Sequence, residues 1–122
     1  MDNVKVAREL VRIARVLIGS QSNLEKANSY YRVVRPFPVY VLVGHEPSNA
    51  YYGRSQIQKP IWEKVMAKSG DLIENLYGGL FYSGRAGKRM DVHVKEPEFA
   101  PFERTRTYDK FPMDKLEKIE KP

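Results

Sequence analysis

The sequence predicts an α+β fold with an N-terminal amphipathic helix, a small mostly antiparallel sheet of three to four strands, a second helical segment and an extended C-terminal arm. Three observations lead to this prediction. Apolar residues recur at helical spacing in residues 4–18, β-branched and aromatic residues cluster in residues 30–43, and prolines are spaced through residues 97–122. We therefore expect one globular domain in residues 1–96, followed by the arm.

The N-terminal helix is predicted from two faces that a helical wheel separates. The apolar face is built from small and medium side chains, Val6, Leu10, Ile13, Ala14 and Leu17. The opposite face holds a column of four cations, Lys5, Arg8, Arg12 and Arg15. Asp2 or Asn3 can cap the first turn, and Gly19 is a residue type that commonly ends a helix.

Two strands are predicted next, at Tyr30–Arg35 and Val39–Val43. The second run is apolar at every position, which is typical of a strand covered on both faces. The first run mixes arginine with tyrosine and is interpreted as an edge strand. Pro36 and Pro38 lie between the two runs and exclude a tight two-residue hairpin, so the connection is expected to be extended or to cross over.

The second helical segment is predicted to begin at Pro60, because proline is favoured at the first position of a helix. Apolar residues then recur at helical spacing in two groups. The groups are Ile61, Trp62, Val65 and Met66, then Leu72, Ile73, Leu76 and Tyr77. Ser69-Gly70 is interpreted as a break between two helices, and Gly78-Gly79 as the end of the second.

A hairpin is predicted from the runs Leu80–Tyr82 and Met90–Lys95, because apolar and polar residues alternate in the second run. The C-terminal arm is expected to lie extended on a surface and to end in a short helix at Met113–Lys121. That helix is too short to be stable alone.

Composition excludes several classes of site. The chain has 122 residues, 42% of them hydrophobic, and no cysteine, which excludes disulfides, thiolate metal sites and thiol nucleophiles. No apolar run approaches the ~20 residues of a membrane span, so a protein without a transmembrane segment or signal peptide is expected.

The net charge is +6, and residues 1–35 hold seven cations against three acids. This surplus suits nucleic acid, anionic lipid or an acidic protein, or it serves solubility alone.

The run of residues 6–17, VARELVRIARVL, alternates V-A-x-E-L-V and I-A-x-x-L blocks. It resembles an N-terminal helix pattern of virion-associated proteins of large tailed bacteriophages. The resemblance covers residues 1–18 and transfers no site residues. It implies a phage or mobile-element origin, with a cytoplasmic or virion location.

Three groups of residues are candidates for binding nucleic acid. The cationic column of the N-terminal helix could contact successive phosphates, and the loop of the predicted hairpin could cradle a phosphate with its amides and cations. Aromatic rings beside guanidinium groups in the first strand, and at Tyr51-Tyr52-Gly53-Arg54, could stack bases. The candidates are Lys5, Arg8, Arg12, Arg15, Tyr30, Tyr31, Arg32, Arg85, Lys88 and Arg89. A solvated surface or core packing is the alternative interpretation of each group.

The apolar residues of the C-terminal arm are candidates for protein interaction. Large aromatic side chains are costly to expose, so they dock either on their own domain or on another chain. The candidates are Phe99, Phe102, Tyr108, Phe111, Leu116 and Ile119.

Catalysis would depend on the two histidines of the chain, His45 and His93, which have Glu46 and Asp91 nearby in sequence. One imidazole acting as base and the other as acid could cleave RNA, with a cation on the phosphate. The spacing of histidines and acids predicts no metal site, and no motif predicts a cofactor.

The favoured hypothesis is a non-catalytic binding or assembly protein. It would engage neighbouring protein subunits, including copies of itself, through the N-terminal helix and the C-terminal arm. Two alternatives stay open, a small basic nucleic-acid-binding protein and a small ribonuclease.

Overall fold

The described part of the chain is almost entirely β-structure. The computed structural model describes residues 21–25, 27–84, 87–101 and 109–122, and these ranges contain nine strands and no α-helix. The predicted α+β class is therefore wrong. The predicted N-terminal helix lies outside the described residues. Within the described ranges, no helix is long and apolar enough to cross a membrane.

The strands are β1 Gln21–Ser22, β2 Ser29–Val33, β3 Phe37–Tyr52, β4 Ser55–Ala67, β5 Leu72–Leu76, β6 Gly79–Ser83, β7 Arg89–His93, β8 Phe111–Pro112 and β9 Leu116–Ile119. Seven of them form one antiparallel sheet in the order β4-β3-β7-β6-β5-β2-β9, and the two short strands β1 and β8 pair separately. A short 3-10 turn, Met113–Lys115, joins β8 to β9. The large sheet thus has about twice the predicted number of strands.

The core lies on one face of the large sheet. Residues opposite each other in an antiparallel pair share a face, and the register places Tyr31, Ile73 and Tyr82 in one row across β2, β5 and β6. All three are buried. Among the residues that the structure describes, the buried apolar set is Leu24, Tyr31, Val33, Phe37, Val39, Val41, Ala67, Ile73, Tyr82, Val92, Phe111 and Leu116. Residues from both ends of the described chain therefore build a single core.

The predicted strands are present with different bounds and neighbours. Val39–Val43 is part of the much longer β3. The predicted hairpin is confirmed, since β6 and β7 pair from Phe81 with Asp91 to Ser83 with Arg89. The first predicted strand is not an edge, because β2 lies between β5 and β9.

Residues 60–77 form strands and a turn, so the predicted second helical segment is wrong. Spacing by four residues fits a helix, but it also fits one face of a strand, where the period is two. Ile57, Ile61 and Val65 share a face of β4 in this way. Pro60 is tolerated because β4 is bonded only to β3 within the described ranges, and proline is accepted on such edge strands.

The predicted terminal helix is also wrong in the described part of the tail, because Met113–Lys115 is a 3-10 turn and Leu116–Ile119 is a strand. β8 pairs with β1, and β9 pairs with β2 from Val33 with Leu116 to Tyr30 with Ile119. Phe111 is fully buried. Pairing with a distant strand thus prevails over the weak helical tendency of a short segment.

Two-residue turns join the two tightest hairpins. Between β5 and β6, Tyr77 and Gly78 have φ angles of 53° and 80°, the combination that a type I′ turn requires. Between β3 and β4, Gly53 has a φ of 62° and precedes Arg54, which matches the glycine-first type II′ turn. Each turn sets the register of the strands that it joins.

Candidate functional site

The hairpin of β3 and β4 extends past the rest of the sheet as a two-stranded ribbon. β7 pairs with β3 only at Tyr40 and Val41, whereas β3 and β4 stay paired as far as Tyr52 and Ser55. We call residues 44–61 the ribbon. None of its residues is buried. The ribbon therefore contributes little to the core and presents its side chains outward.

Two irregularities in pairing shape the ribbon. At the first, Val43 is an extra residue of β3, and such a bulge increases the local twist. At the second, residues 48–50 of β3 lie opposite Ile57 alone. The Ser48 hydroxyl holds this second bulge, since it donates to the Ile57 carbonyl at 2.6 Å and accepts from the Ala50 amide at 3.2 Å. The tip beyond it is thus held in a defined orientation.

Most of the exposed apolar side chains lie on these two strands. Seven large apolar side chains are exposed in the described ranges, and five of them belong to β3 or β4. The five are Val43, Tyr51, Tyr52, Ile61 and Met66. Tyr51 and Tyr52, beside the turn at the tip, are 56% and 81% exposed. Tyr51, Tyr52 and Ile61 of this set lie within the ribbon, which is therefore a candidate docking surface.

The second candidate site is a pocket of about 700 Å³ beside the turn between β5 and β6. Its apolar wall is formed by Leu24, Leu42, Trp62 and Leu80, with Gly78 and Gly79 of the turn. Its polar residues are Asn23, Asn75, Asp91, His93 and Asp109. Two of these are carboxylic acids, and none of the described lining residues is lysine or arginine. We call this cavity the acidic pocket.

His93 and Asp109 are in direct contact in the acidic pocket. Nδ1 of His93 is hydrogen-bonded to Oδ2 of Asp109, whose side chain is only 4% exposed. On another side, the rings of His93 and Trp62 meet edge to face, with centroids 4.9 Å apart and planes at 82°. The carboxylate and the indole together orient the imidazole.

Three buried polar side-chain atoms lack a hydrogen-bond partner within the described part of the chain, and all three belong to residues that line the acidic pocket. They are Nε1 of Trp62, Oδ1 of Asn75 and Oδ1 of Asp109. The Asn75 amide nitrogen donates to the Glu25 carbonyl, which leaves the amide oxygen facing elsewhere. An unpaired buried polar group costs roughly 1–3 kcal/mol. The concentration of three such atoms around one cavity indicates a binding site.

The structure does not form the aromatic platform predicted for nucleic acid on the first strand. Tyr31 is buried in the core, and Tyr30 is half-buried on the other face of β2. Arg32 forms an exposed ion pair with Glu117 at 2.8 Å. The three residues thus do not present adjacent rings and free cations.

Two described candidates for binding nucleic acid, Lys88 and Arg89, lie in or beside the β6–β7 loop, and Arg89 already contacts side chains of its own chain. Arg89 pairs at 3.2 Å with the buried Glu74, and its guanidinium lies 5.7 Å from the centre of the Phe81 ring. Lys88 is exposed. The remaining cationic candidates, Lys5, Arg8, Arg12, Arg15 and Arg85, lie outside the described residues.

The candidates for protein interaction are distributed between the core and the surface. Phe111 and Leu116 are buried in the core of their own chain, and Ile119 is half-buried opposite Tyr30. Phe99 is half-buried against the ribbon, in a recess lined by residues 46–50 and Lys59. Phe102 and Tyr108 lie outside the described residues.

The two histidines of the ribonuclease hypothesis do not come together. His93 lies opposite Tyr40, and His45 lies five residues further along β3. At about 3.3 Å per residue, the two are separated by about 16 Å along the strand, too far for both imidazoles to contact one phosphate. In the described ranges, no group of three or more histidine or acidic side chains is placed to hold a metal ion.

Sequence reasoning missed three residues of the acidic pocket, Trp62, Asn75 and Asp109. The helical interpretation places Trp62 in a core stripe, and Asp109 is separated from its partner His93 by a stretch with no local periodicity. One signal was present for Asn75, because Glu74 and Asn75 are polar residues between the apolar residues of the run from Leu72 to Leu76. Polar residues in a buried strand commonly have a specific partner.

Comparisons with known protein families, with curated proteins and with solved structures found no match for this chain. Its function is therefore inferred from its residues and their geometry.

Proposed function

We propose that this chain is a non-catalytic assembly protein that docks on a neighbouring protein subunit through the ribbon. The observation that carries the proposal is the concentration of exposed apolar side chains on β3 and β4, with Tyr51 and Tyr52 at the tip. Tyrosine rings bury a large area with few rotatable bonds, and they are enriched at the energetic centres of protein interfaces. The tip supplies two such rings, one on each face of the hairpin, since successive residues of a paired strand point to opposite faces.

The contact is made by side chains and not by addition of a strand. β4 is an edge strand in the described part of the sheet, but Pro60 removes one backbone donor from it. Lys59 and Lys64 place charges along the same strand. Prolines and lysines on edge strands discourage pairing with another chain. The aromatic tip is therefore the docking element.

The charge of the ribbon favours a protein partner over nucleic acid. Residues 44–61 carry two cations, Arg54 and Lys59, and one acid, Glu46. A surface that tracks phosphates needs more positive charge than this. Two chains that each carry +6 meet with little repulsion where the local charge is this low. We therefore take a second copy of the chain as the partner.

The N-terminal resemblance to virion-associated phage proteins agrees with an assembly role. The phage origin stays a prediction, as does a docking role for the N-terminal helix.

Sedimentation velocity on the full chain over a range of concentrations tests the proposal. The wild-type chain is expected to form dimers or larger species as its concentration rises. The double variant Tyr51→Ser/Tyr52→Ser is expected to stay monomeric, because it removes both exposed rings without touching the core.

Tyr77→Ser provides the matched control. Tyr77 is 94% exposed but lies in the β5–β6 turn, away from the ribbon. Its loss should leave self-association unchanged. A wild-type chain that is monomeric at every concentration, or a double variant that associates like the wild type, would overturn the proposal.

A further inference from the structure

We propose that the acidic pocket binds a small organic cation, with an amino, amidino or guanidino head group on a short apolar body. The site is separate from the ribbon tip, and the proposal does not depend on the docking function. It rests on the charge of the pocket, on its unpaired acceptors and on its apolar wall.

The charge of the pocket is opposite to that of the chain. The chain carries a net charge of +6, yet the described lining of the pocket holds Asp91 and Asp109 and no lysine or arginine. Asp109 is nearly fully buried and contacts His93 through only one of its two oxygens. A positively charged ligand is therefore attracted to this cavity, whereas an anion is repelled.

Of the three buried atoms that have no partner among the described residues, two are acceptors, Oδ1 of Asp109 and Oδ1 of Asn75. Both residues are at least nine-tenths buried. A ligand with several N–H groups would satisfy both oxygens, since an ammonium group has three donors and a guanidinium group has five. The residues therefore select a ligand rich in donors.

The apolar wall accommodates the body of such a ligand. A cavity of about 700 Å³ falls within the roughly 300–1,000 Å³ that small-molecule sites occupy. Leu42, Leu80 and the Trp62 ring form the part that suits an alkyl chain, and an indole face also attracts cations.

The third unpaired atom distinguishes two sources of the cation. Nε1 of Trp62 is a donor, and an alkylguanidine offers no acceptor for it. An arginine residue of a peptide carries carbonyl oxygens that can accept this hydrogen bond. Tighter binding of an arginine peptide than of a free alkylguanidine would identify a partner side chain as the source, and the reverse order would identify a free small molecule.

Trp62 allows occupancy to be measured directly, because it is the single tryptophan of the chain. The full chain is titrated with n-butylguanidine, with its neutral analogue n-butylurea, and with butyrate, while tryptophan fluorescence is recorded. A parallel titration uses an acetylated, amidated Gly-Arg-Gly peptide against the same peptide with citrulline. Only the cationic probes are expected to give a saturable change, with millimolar affinity for so small a probe.

Two variants test the carboxylates. Asp109→Asn and Asp91→Asn are each expected to weaken n-butylguanidine binding at least tenfold. Asp91 is exposed, so its variant keeps the test valid even where Asp109→Asn disturbs folding. Asp114→Asn removes the same charge from the 3-10 turn outside the pocket and should leave the affinity unchanged. Equal affinity for n-butylurea and n-butylguanidine, no saturable change with any cation, or unchanged affinity in both pocket variants would overturn the proposal.

Discussion

The phenol of Tyr82 on β6 donates a hydrogen bond of 2.5 Å to Oδ2 of Asp71, in the connection between β4 and β5. The same carboxylate oxygen accepts from the Lys68 amide at 2.8 Å, and the Asp71 carbonyl accepts from the Val33 amide at 2.8 Å. Asp71 and Tyr82 are both buried. One aspartate therefore joins the end of β2, the β4–β5 connection and the centre of the sheet.

Replacing Tyr82 with phenylalanine is expected to destabilise the fold by about 1.5–3 kcal/mol, because a buried hydrogen bond to a charged acceptor is lost. Urea unfolding at neutral pH measures the loss. Tyr52→Phe, which removes an exposed phenol, should change the free energy of unfolding little.

The same bond predicts a loss of stability at alkaline pH. Burial, assisted by the hydrogen bond to Asp71 and by its charge, raises the pKa of Tyr82 above the usual value of about 10. Because the folded pKa is the higher one, this stabilisation is complete below about pH 10 and falls as the pH rises further. The difference in stability between wild type and Tyr82→Phe should shrink in that range. A difference in stability that stays constant above about pH 10 would contradict the raised pKa of Tyr82.

Tyr77→Asn is expected to stabilise the chain by about 0.5–1 kcal/mol, since asparagine adopts a positive φ more readily than tyrosine and Asn-Gly is the preferred pair in type I′ turns. The Tyr77 backbone amide donates to Oδ1 of the Asn28 side chain at 3.2 Å, and the variant keeps this bond because it does not involve the Tyr77 side chain. Thermal unfolding compares it with Tyr77→Val, whose β-branched side chain should destabilise the turn. Equal stability of the two variants would contradict the assigned turn.

Arg89→Ala is expected to destabilise the fold by about 1–3 kcal/mol, because it leaves the Glu74 carboxylate, 6% exposed, without its cation. Arg32→Ala is the control, since its partner Glu117 is exposed and such pairs contribute less than about 1 kcal/mol. Chemical denaturation of both variants and of Arg89→Ala/Glu74→Gln tests the prediction. The double variant should recover part of the loss.

Phe111→Ala is expected to cost about 3–5 kcal/mol, the usual range for truncating a fully buried phenylalanine. Phe99→Ala, at a half-buried position, should cost much less. Urea unfolding distinguishes the two. A loss below about 1 kcal/mol for Phe111→Ala would mean that the tail packs independently of the core.

Local pattern predicted part of the fold and little of the candidate sites. The alternation of apolar and polar residues in residues 90–94 identified β7 correctly, because a period of two is typical of a strand and does not fit a helix. The spacing of Ile61 and Val65 was compatible with both a helix and a strand, and the helical interpretation was wrong. For the sites, the sequence identified His93 as a candidate catalytic residue. Its contacts with Trp62 and Asp109, however, join three distant parts of the chain. No local period encodes such a contact.

Local sequence was sufficient to identify the strands around residues 39–43 and 80–94, the glycines that allow tight turns and the absence of thiol chemistry. These properties depend on the residue and its immediate neighbours. Three other features follow from the three-dimensional arrangement of the strands: β9 pairs with β2, Phe111 completes the core, and β3 and β4 extend into a ribbon. Each of those outcomes depends on which distant strands pair, and that choice is made by the summed burial and hydrogen bonding of the whole sheet.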